Sequence, residues 1–141
     1  MSSTSSGGKI HVSGGEIVPR VLVIDDEPLV RWSLVAGLRH AGFDAVPAGT
    51  PEDAVTVAQQ APPPLVVLLD VSLWGADPRE LLANLRRIVP GCRVLLLAVD
   101  GQEVPDMEDV EVIRKPFDLP AVVDRVKAVL PYSPHGAKLA V

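Results

Sequence analysis

Apolar and polar positions along this chain switch repeatedly between a strand-like and a helix-like period. Val21-Leu-Val-Ile24 is a short apolar run closed by Asp25-Asp26, and it predicts a buried strand. Residues 28–41 carry Val30, Leu34, Val35 and Leu38 at helical spacing, with Gly42 as the stop. Phe43 to Val46 alternates, as an edge strand does. Thr50-Pro51-Glu52-Asp53 supplies an N-cap, a first-turn proline and two acids suited to the dipole of a second helix, which Pro62-Pro63-Pro64 ends. Leu65-Val-Val-Leu-Leu69 is wholly apolar and ends in Asp70. Asp77-Pro78 caps a third helix that turns Leu81, Leu82, Leu85, Ile88 and Val89 inward. Val94-Leu-Leu-Leu97 is another buried strand, and Val110-Glu-Val-Ile113 alternates again. After Lys115-Pro116-Phe117, Asp118 caps a last helix with Leu119, Val122, Val123, Val126 and Leu130 facing the core.

Five strands alternating with helices require right-handed crossovers and one parallel sheet. The wholly apolar strands belong in its middle and the alternating ones at its edges. The expected fold class is α/β, a doubly wound five-stranded parallel sheet of order 2-1-3-4-5, with its ligand crevice at the carboxyl ends of the first and third strands. Between the last two strands, residues 100–109 hold a glycine, a proline and five acids. That is a poor amphipathic pattern, so the helix expected there is short or missing. The domain spans residues 19–131, between a flexible Ser/Gly-rich tail at 1–18 and a second tail at 132–141.

Composition narrows the function. A chain of 141 residues, 48% apolar, suffices for one domain with a sizeable core and excludes a disordered chain. A net charge of −5 offers no basic footprint for nucleic acid and nothing to hold an anionic membrane. Cys92 is the single cysteine, which excludes a disulfide framework or a cysteine metal cluster and predicts a buried free thiol. The longest apolar runs are about six residues, and the first residues lack the apolar core of a signal peptide. A cytoplasmic protein is expected.

The chemistry collects at one rim. Asp25, Asp26 and Asp70 stand at the ends of neighbouring strands, where their mutual repulsion must be offset. A hard divalent cation does this well, and magnesium commonly binds one or two carboxylates together with a phosphate. Such an ion also lets a carboxylate oxygen attack a phosphoryl group. Lys115, ending the segment of the fifth strand, brings a point charge to the same rim. By contrast Asp77 and Asp118 read as caps, Arg86-Arg87 as a solvated helix face, and Trp32 as partly buried packing. His11, His40 and His135 are scattered and carry no metal or phosphate-transfer role. Trp74 reads equally as a partner anchor or as a loop aromatic folded onto its own domain.

Val21-Leu-Val-Ile-Asp-Asp-Glu-Pro-Leu-Val-Arg-Trp-Ser-Leu34 resembles the opening of response-regulator receiver domains. Leu65 to Asp77 resembles their phosphoacceptor segment, and Lys115-Pro116-Phe117 their lysine signature; Arg31-Trp32 is similar to the nitrogen-regulation branch. The resemblance implies that Asp25 and Asp26 hold Mg2+, with Asp70 and the backbone carbonyl of Ser72 completing the metal site. It implies that Asp70 accepts a phosphoryl group from a histidine kinase or phosphotransfer protein, and that Lys115 contacts the phosphoryl oxygens.

The departures matter as much. The family's fourth strand normally ends in Thr or Ser, whose hydroxyl follows the phosphoryl group, and Ala98 stands there, followed by a bulky Val99. Val112 replaces the usual Tyr or Phe of the fifth strand, and the segment between Ala98 and Lys115 is shorter than usual. Trp74 and Pro78 replace a usual proline and glycine beside the phosphoacceptor. A missing hydrogen bond to a charged group removes roughly 1.5–3 kcal/mol of bias toward the active state.

Three functions follow from these residues. The first is a stand-alone, non-enzymatic receiver, phosphorylated on Asp70 and relaying its signal by protein–protein contact, with the acidic 100–109 stretch lying where this family meets partners. The second is a pseudo-receiver, a phosphorylation-independent interaction module. The third, a magnesium-dependent phosphohydrolase, is disfavoured because Ser72 stands where a second general acid is needed. The downstream partner and the oligomeric state stay open.

Overall fold

A computed structural model describes residues 18–72, 77–99, 101–104 and 106–130 of the chain. The elements follow in the order β1 (Arg20–Ile24), α1 (Pro28–His40), β2 (Asp44–Ala48), α2 (Pro51–Ala58), β3 (Val66–Asp70), α3 (Pro78–Ile88), β4 (Arg93–Val99), β5 (Val110–Lys115) and α4 (Leu119–Val129). The strands pair in parallel as one sheet of order β2-β1-β3-β4-β5, as the pattern of apolar runs predicts. Pro47, which has no amide to donate, is accommodated because β2 is an edge strand.

Successive residues of a strand point to opposite faces, so the central strands build two cores at once. Leu22, Ile24, Val67, Leu69, Val94 and Leu96 meet Ala54 and Val57 of α2 and Leu81, Leu82 and Leu85 of α3. Val21, Val23, Leu68, Leu95 and Leu97 meet Leu34, Val35 and Leu38 of α1 and Val122, Val123 and Val126 of α4. The helices begin where their caps dictate: Thr50 Oγ1 accepts from the Asp53 amide at 3.0 Å, Asp77 from Arg79 at 2.9 Å and Asp118 from Ala121 at 2.8 Å. α1 ends in a Schellman motif, with the Phe43 amide donating to Leu38 O and the Gly42 amide to Arg39 O. That geometry needs the positive φ of 103° at Gly42, and it seats Phe43 in the core.

Between β4 and β5 no helix occurs among the described residues. Val104 and Met107 instead lie against the same core cluster as Val110 and Val112, covering apolar surface with extended chain. Side chains hold this connection in place. Gln102 Oε1 accepts from the Val99 amide at 2.9 Å, and Arg114 Nη1 donates to the carbonyls of Val99 at 3.2 Å and Gln102 at 2.9 Å. Arg86 reaches over from α3 to the Asp109 carbonyl at 2.8 Å, so it is not simply a solvated face.

One packing expectation fails. Trp32 is 50% exposed, because it lies on the flank of α1 rather than on the buried stripe of Leu34, Val35 and Leu38. Cys92 is a buried free thiol, as expected, and burial pushes its pKa up. Trp74, His11, His135, Asp100 and both expected tails lie outside the described residues, apart from Val18 at the end of the first. Among the described residues no helix is long and apolar enough to cross a membrane.

Gly37, in the middle of α1, has a packing reason. A Cβ there would stand 2.6 Å from Leu119 Cγ, and closer still to one of its methyl groups. Overpacking of this kind costs about 1–3 kcal/mol and outweighs the roughly 1 kcal/mol that alanine gains over glycine in a helix. Gly37→Ala is expected to lower the urea midpoint, and Leu119→Ala in the same chain to remove most of the further penalty of the Gly37 change. Additive losses in that double mutant would show that α1 and α4 do not meet through this pair.

Candidate functional site

The acidic rim assembles where β1 and β3 run out. Asp25 follows the last residue of β1, and its amide donates to Ala48 O of β2 at 3.2 Å. Its Oδ1 accepts from the Glu27 amide at 2.9 Å, a local turn that starts the chain toward α1. Its Oδ2 is buried and has no hydrogen-bond partner. Asp25 is 1% exposed, and burial, reinforced by the negative charge of Asp70, raises its pKa from 3.8 to about 6, against the opposing pull of the Glu27 amide and of Lys115. Asp26, the next residue, is exposed at the rim.

Asp70 is the final residue of β3 and is also buried. Its two oxygens are held differently. Oδ1 accepts from both the amide of Ser72, at 2.8 Å, and its hydroxyl, at 2.7 Å. Oδ2 accepts from Lys115 Nζ at 3.2 Å. Burial pushes the Asp70 carboxyl upward, but Ser72 and the Lys115 ammonium outweigh it and hold the group below the usual carboxylate range. Of two adjacent buried carboxyls, Asp70 is thus the ionised one and Asp25 the one that keeps its proton longer.

Lys115 ends β5, two strands from Asp70. Two strand spacings are about 10 Å, so a long side chain is needed to cover them. Ala98, on the intervening β4, is fully buried, and Val112 packs in the core on the α2–α3 face. Val99 is 51% exposed at the mouth.

Of the sequence-predicted site residues, the structure brings Asp25, Asp70 and Lys115 together. Asp26 stays outside that buried group, and among the described residues no three His, Cys, Asp or Glu side chains form a ready-made metal cluster. Two contacts went beyond the sequence reading. The Ser72 hydroxyl holds Asp70, although only the carbonyl of Ser72 was expected to matter; an acid followed two residues later by serine is a turn signal that points to it. Arg31 Nη1 donates to the Asp25 carbonyl at 2.7 Å and crosses Gly49, where a Cβ would stand 2.7 Å from the same nitrogen. The donor set is composed of hard oxygens, one of them orphaned, and that chemistry fits magnesium better than a soft metal.

Comparison with known proteins agrees with this geometry. The family model described as the response regulator receiver domain matches residues 21–127. The probable transcriptional regulatory protein TcrX of Mycobacterium tuberculosis is 33% identical over 115 residues, covering 78% of this chain and 49% of that protein. Sporulation initiation phosphotransferase F of Bacillus subtilis is 28% identical over 117 residues, 79% of this chain and 94% of that protein. The chain therefore spans about half the length of the transcriptional regulators it matches. The receiver domain of the hybrid histidine kinase CckA superposes with a TM-score of 0.67 at 28% identity, over 77% of this chain and 96% of that one. For the chemotaxis protein CheY4 of Vibrio cholerae, the TM-score is 0.70 at 21% identity, over 80% of this chain and 99% of that one, a likeness of fold.

The raised pKa of Asp25 sets a pH dependence. Because the folded state holds this proton more tightly than the unfolded chain, its contribution to stability is full below about pH 4 and is lost as pH rises through about 6. In chelator, Asp25→Asn is expected to be more stable than the parent above about pH 7, by up to about 3 kcal/mol. The advantage should shrink steadily toward about pH 4, followed by urea unfolding. An advantage that does not change with pH would show that Asp25 is not the strained group.

Proposed function

The chain belongs to the response-regulator receiver-domain family, and we propose that Asp70 accepts a phosphoryl group from a histidine kinase or phosphotransfer protein. The observation that carries this reading is the state of Asp70: buried, ionised, and paired with Lys115 beside the unpartnered Asp25 Oδ2. A carboxylate kept charged although buried is a prepared nucleophile. In the reaction a carboxylate oxygen of Asp70 bonds to phosphorus while the donor's P–N or P–O bond breaks, and that electron pair leaves with the donor. Lys115, whose ion pair weakens as the carboxylate charge is spent, then turns its ammonium to the phosphoryl oxygens.

Asp25, Asp70, the Ser72 carbonyl and, through water, Asp26 are the oxygens that would hold magnesium, which when bound would neutralise charge on the transferring phosphoryl oxygens. Arg31 fixes the Asp25 backbone, so the orphan oxygen stays aimed at the pocket. Signalling then proceeds by protein contact. On α1, Leu29 at 79% and Trp32 at 50% exposure offer apolar contacts for an incoming partner. A non-enzymatic relay fits this chemistry, because Ser72 stands where a phosphohydrolase would need a second general acid.

A second reading, a phosphorylation-independent interaction module, is favoured by one observation: Ala98 is buried and has no hydroxyl to follow a phosphoryl group.

Incubation with magnesium and acetyl phosphate separates the two. Intact-protein mass should rise by one phosphoryl group in the parent and not in Asp70→Asn or in excess chelator. Lys115→Met, which leaves Asp70 buried without its cation, should cut the rate by at least about tenfold. No mass gain in the parent, together with no response to beryllium fluoride, would overturn the first reading and point to the second.

A further inference from the structure

The side chains at the end of β4 have nothing to offer a phosphoryl group. Ala98 carries no hydroxyl, and the Val99 amide is already committed to Gln102 Oε1. The Val99 carbonyl is likewise occupied, by the Gln102 amide and Arg114 Nη1. A reporter of the modified state must therefore come from another element. Among the described residues the hydroxyls are those of Ser33, Thr50, Thr56 and Ser72. Thr50 caps α2, and Thr56 donates back to the Glu52 carbonyl. Of these, it is the Ser72 hydroxyl that donates to the reacting carboxyl, at 2.7 Å from Asp70 Oδ1.

We infer that the Ser72 hydroxyl takes the place of the missing β4 hydroxyl, leaving Asp70 Oδ1 and donating to a phosphoryl oxygen when Asp70 is modified. Oδ1 has two donors from Ser72, whereas Oδ2 has the single, longer contact with Lys115, so Oδ2 is the freer oxygen to bond phosphorus. On bonding, the carboxylate charge disappears, Oδ1 becomes an ordinary carbonyl acceptor, and the negative charge moves to the phosphoryl oxygens. A hydroxyl follows charge by rotating about one torsion, because hydrogen bonds to ionised acceptors are about twice as strong as neutral ones. The Ser72 amide, fixed in the backbone, stays on Oδ1. Ser72 is exposed, so this rotation displaces no core side chain. The reporter of the modified state then lies just after β3, while the β4 end remains pinned by Gln102 and Arg114.

This inference rests on Asp70 being the phosphoacceptor, and beryllium trifluoride separates the two claims. The full chain is titrated with magnesium and beryllium fluoride and read by fluorine NMR in light and heavy water. In the parent, two bound fluorine resonances should move with solvent deuteration, one facing Lys115 and one facing Ser72. Ser72→Ala should abolish the deuterium shift of the second, keep that of the first, and bind the mimic about tenfold more weakly, the loss of one hydrogen bond to a charged acceptor. Ser72→Thr should restore both the shift and the affinity. Deuterium shifts in the parent that survive unchanged in Ser72→Ala would overturn the Ser72 role and leave Asp70 as the acceptor. Weaker binding without loss of that shift would make Ser72 merely structural, and so would failure of Ser72→Thr to rescue. No bound resonance in the parent removes both claims.

Discussion

Lys115 and Asp70 form the ion pair on which the rest of this rim depends. Burial disfavours charge on Asp25 and on Asp70, and the charge of Asp70 further disfavours that of Asp25. The hydroxyl and amide of Ser72, joined by the Lys115 ammonium, decide the contest for Asp70. Asp25 is left with one oxygen on the Glu27 amide and the other without a partner. That orphan oxygen is a standing cost in the free protein, and it is also what makes the pocket receptive to a hard cation. Stability and reactivity are in tension at the same atoms, a common condition of functional sites.

The sheet order explains why the pair can form at all. Asp70 sits at the end of a central strand, screened from water by both cores, while Lys115 stands at the end of an edge strand and reaches inward across β4. Ala98 on that intervening strand is small and fully buried.

The β4–β5 connection differs from the other crossovers in the means that hold it. A helix satisfies its own backbone and buries one apolar stripe; this segment has Val104 and Met107 for the stripe and side chains of Gln102, Arg114 and Arg86 for the backbone. Arg125 of α4 pairs with Glu111 on the outer strand, so the edge next to this connection is dressed with charge, which discourages strand addition. A connection fixed by discrete polar contacts at its first turn is a poor candidate for large rearrangement, and this is the physical ground for locating the response to modification after β3.

Apolar spacing determined the α/β class and which strands are central, the doubly wound topology then set their order, and residue type placed the caps at Thr50, Asp77 and Asp118, because burial on one or two faces writes directly into spacing and capping needs only neighbouring residues. Strand ends of one parallel sheet also bring Asp25, Asp26, Asp70 and Lys115 to one rim, but spacing did not separate the exposed Asp26 from the other three. It did not determine which carboxyl is ionised, that the Ser72 hydroxyl binds Asp70, that Arg31 steadies Asp25 across Gly49, that Arg114 pins the β4 end, or that Trp32 faces water. Each of those depends on the direction and reach of side chains belonging to elements far apart in sequence, and on how deeply the fold buries them. Spacing along the chain records which face a residue occupies; only the packed structure fixes what it meets there and how much water remains between them.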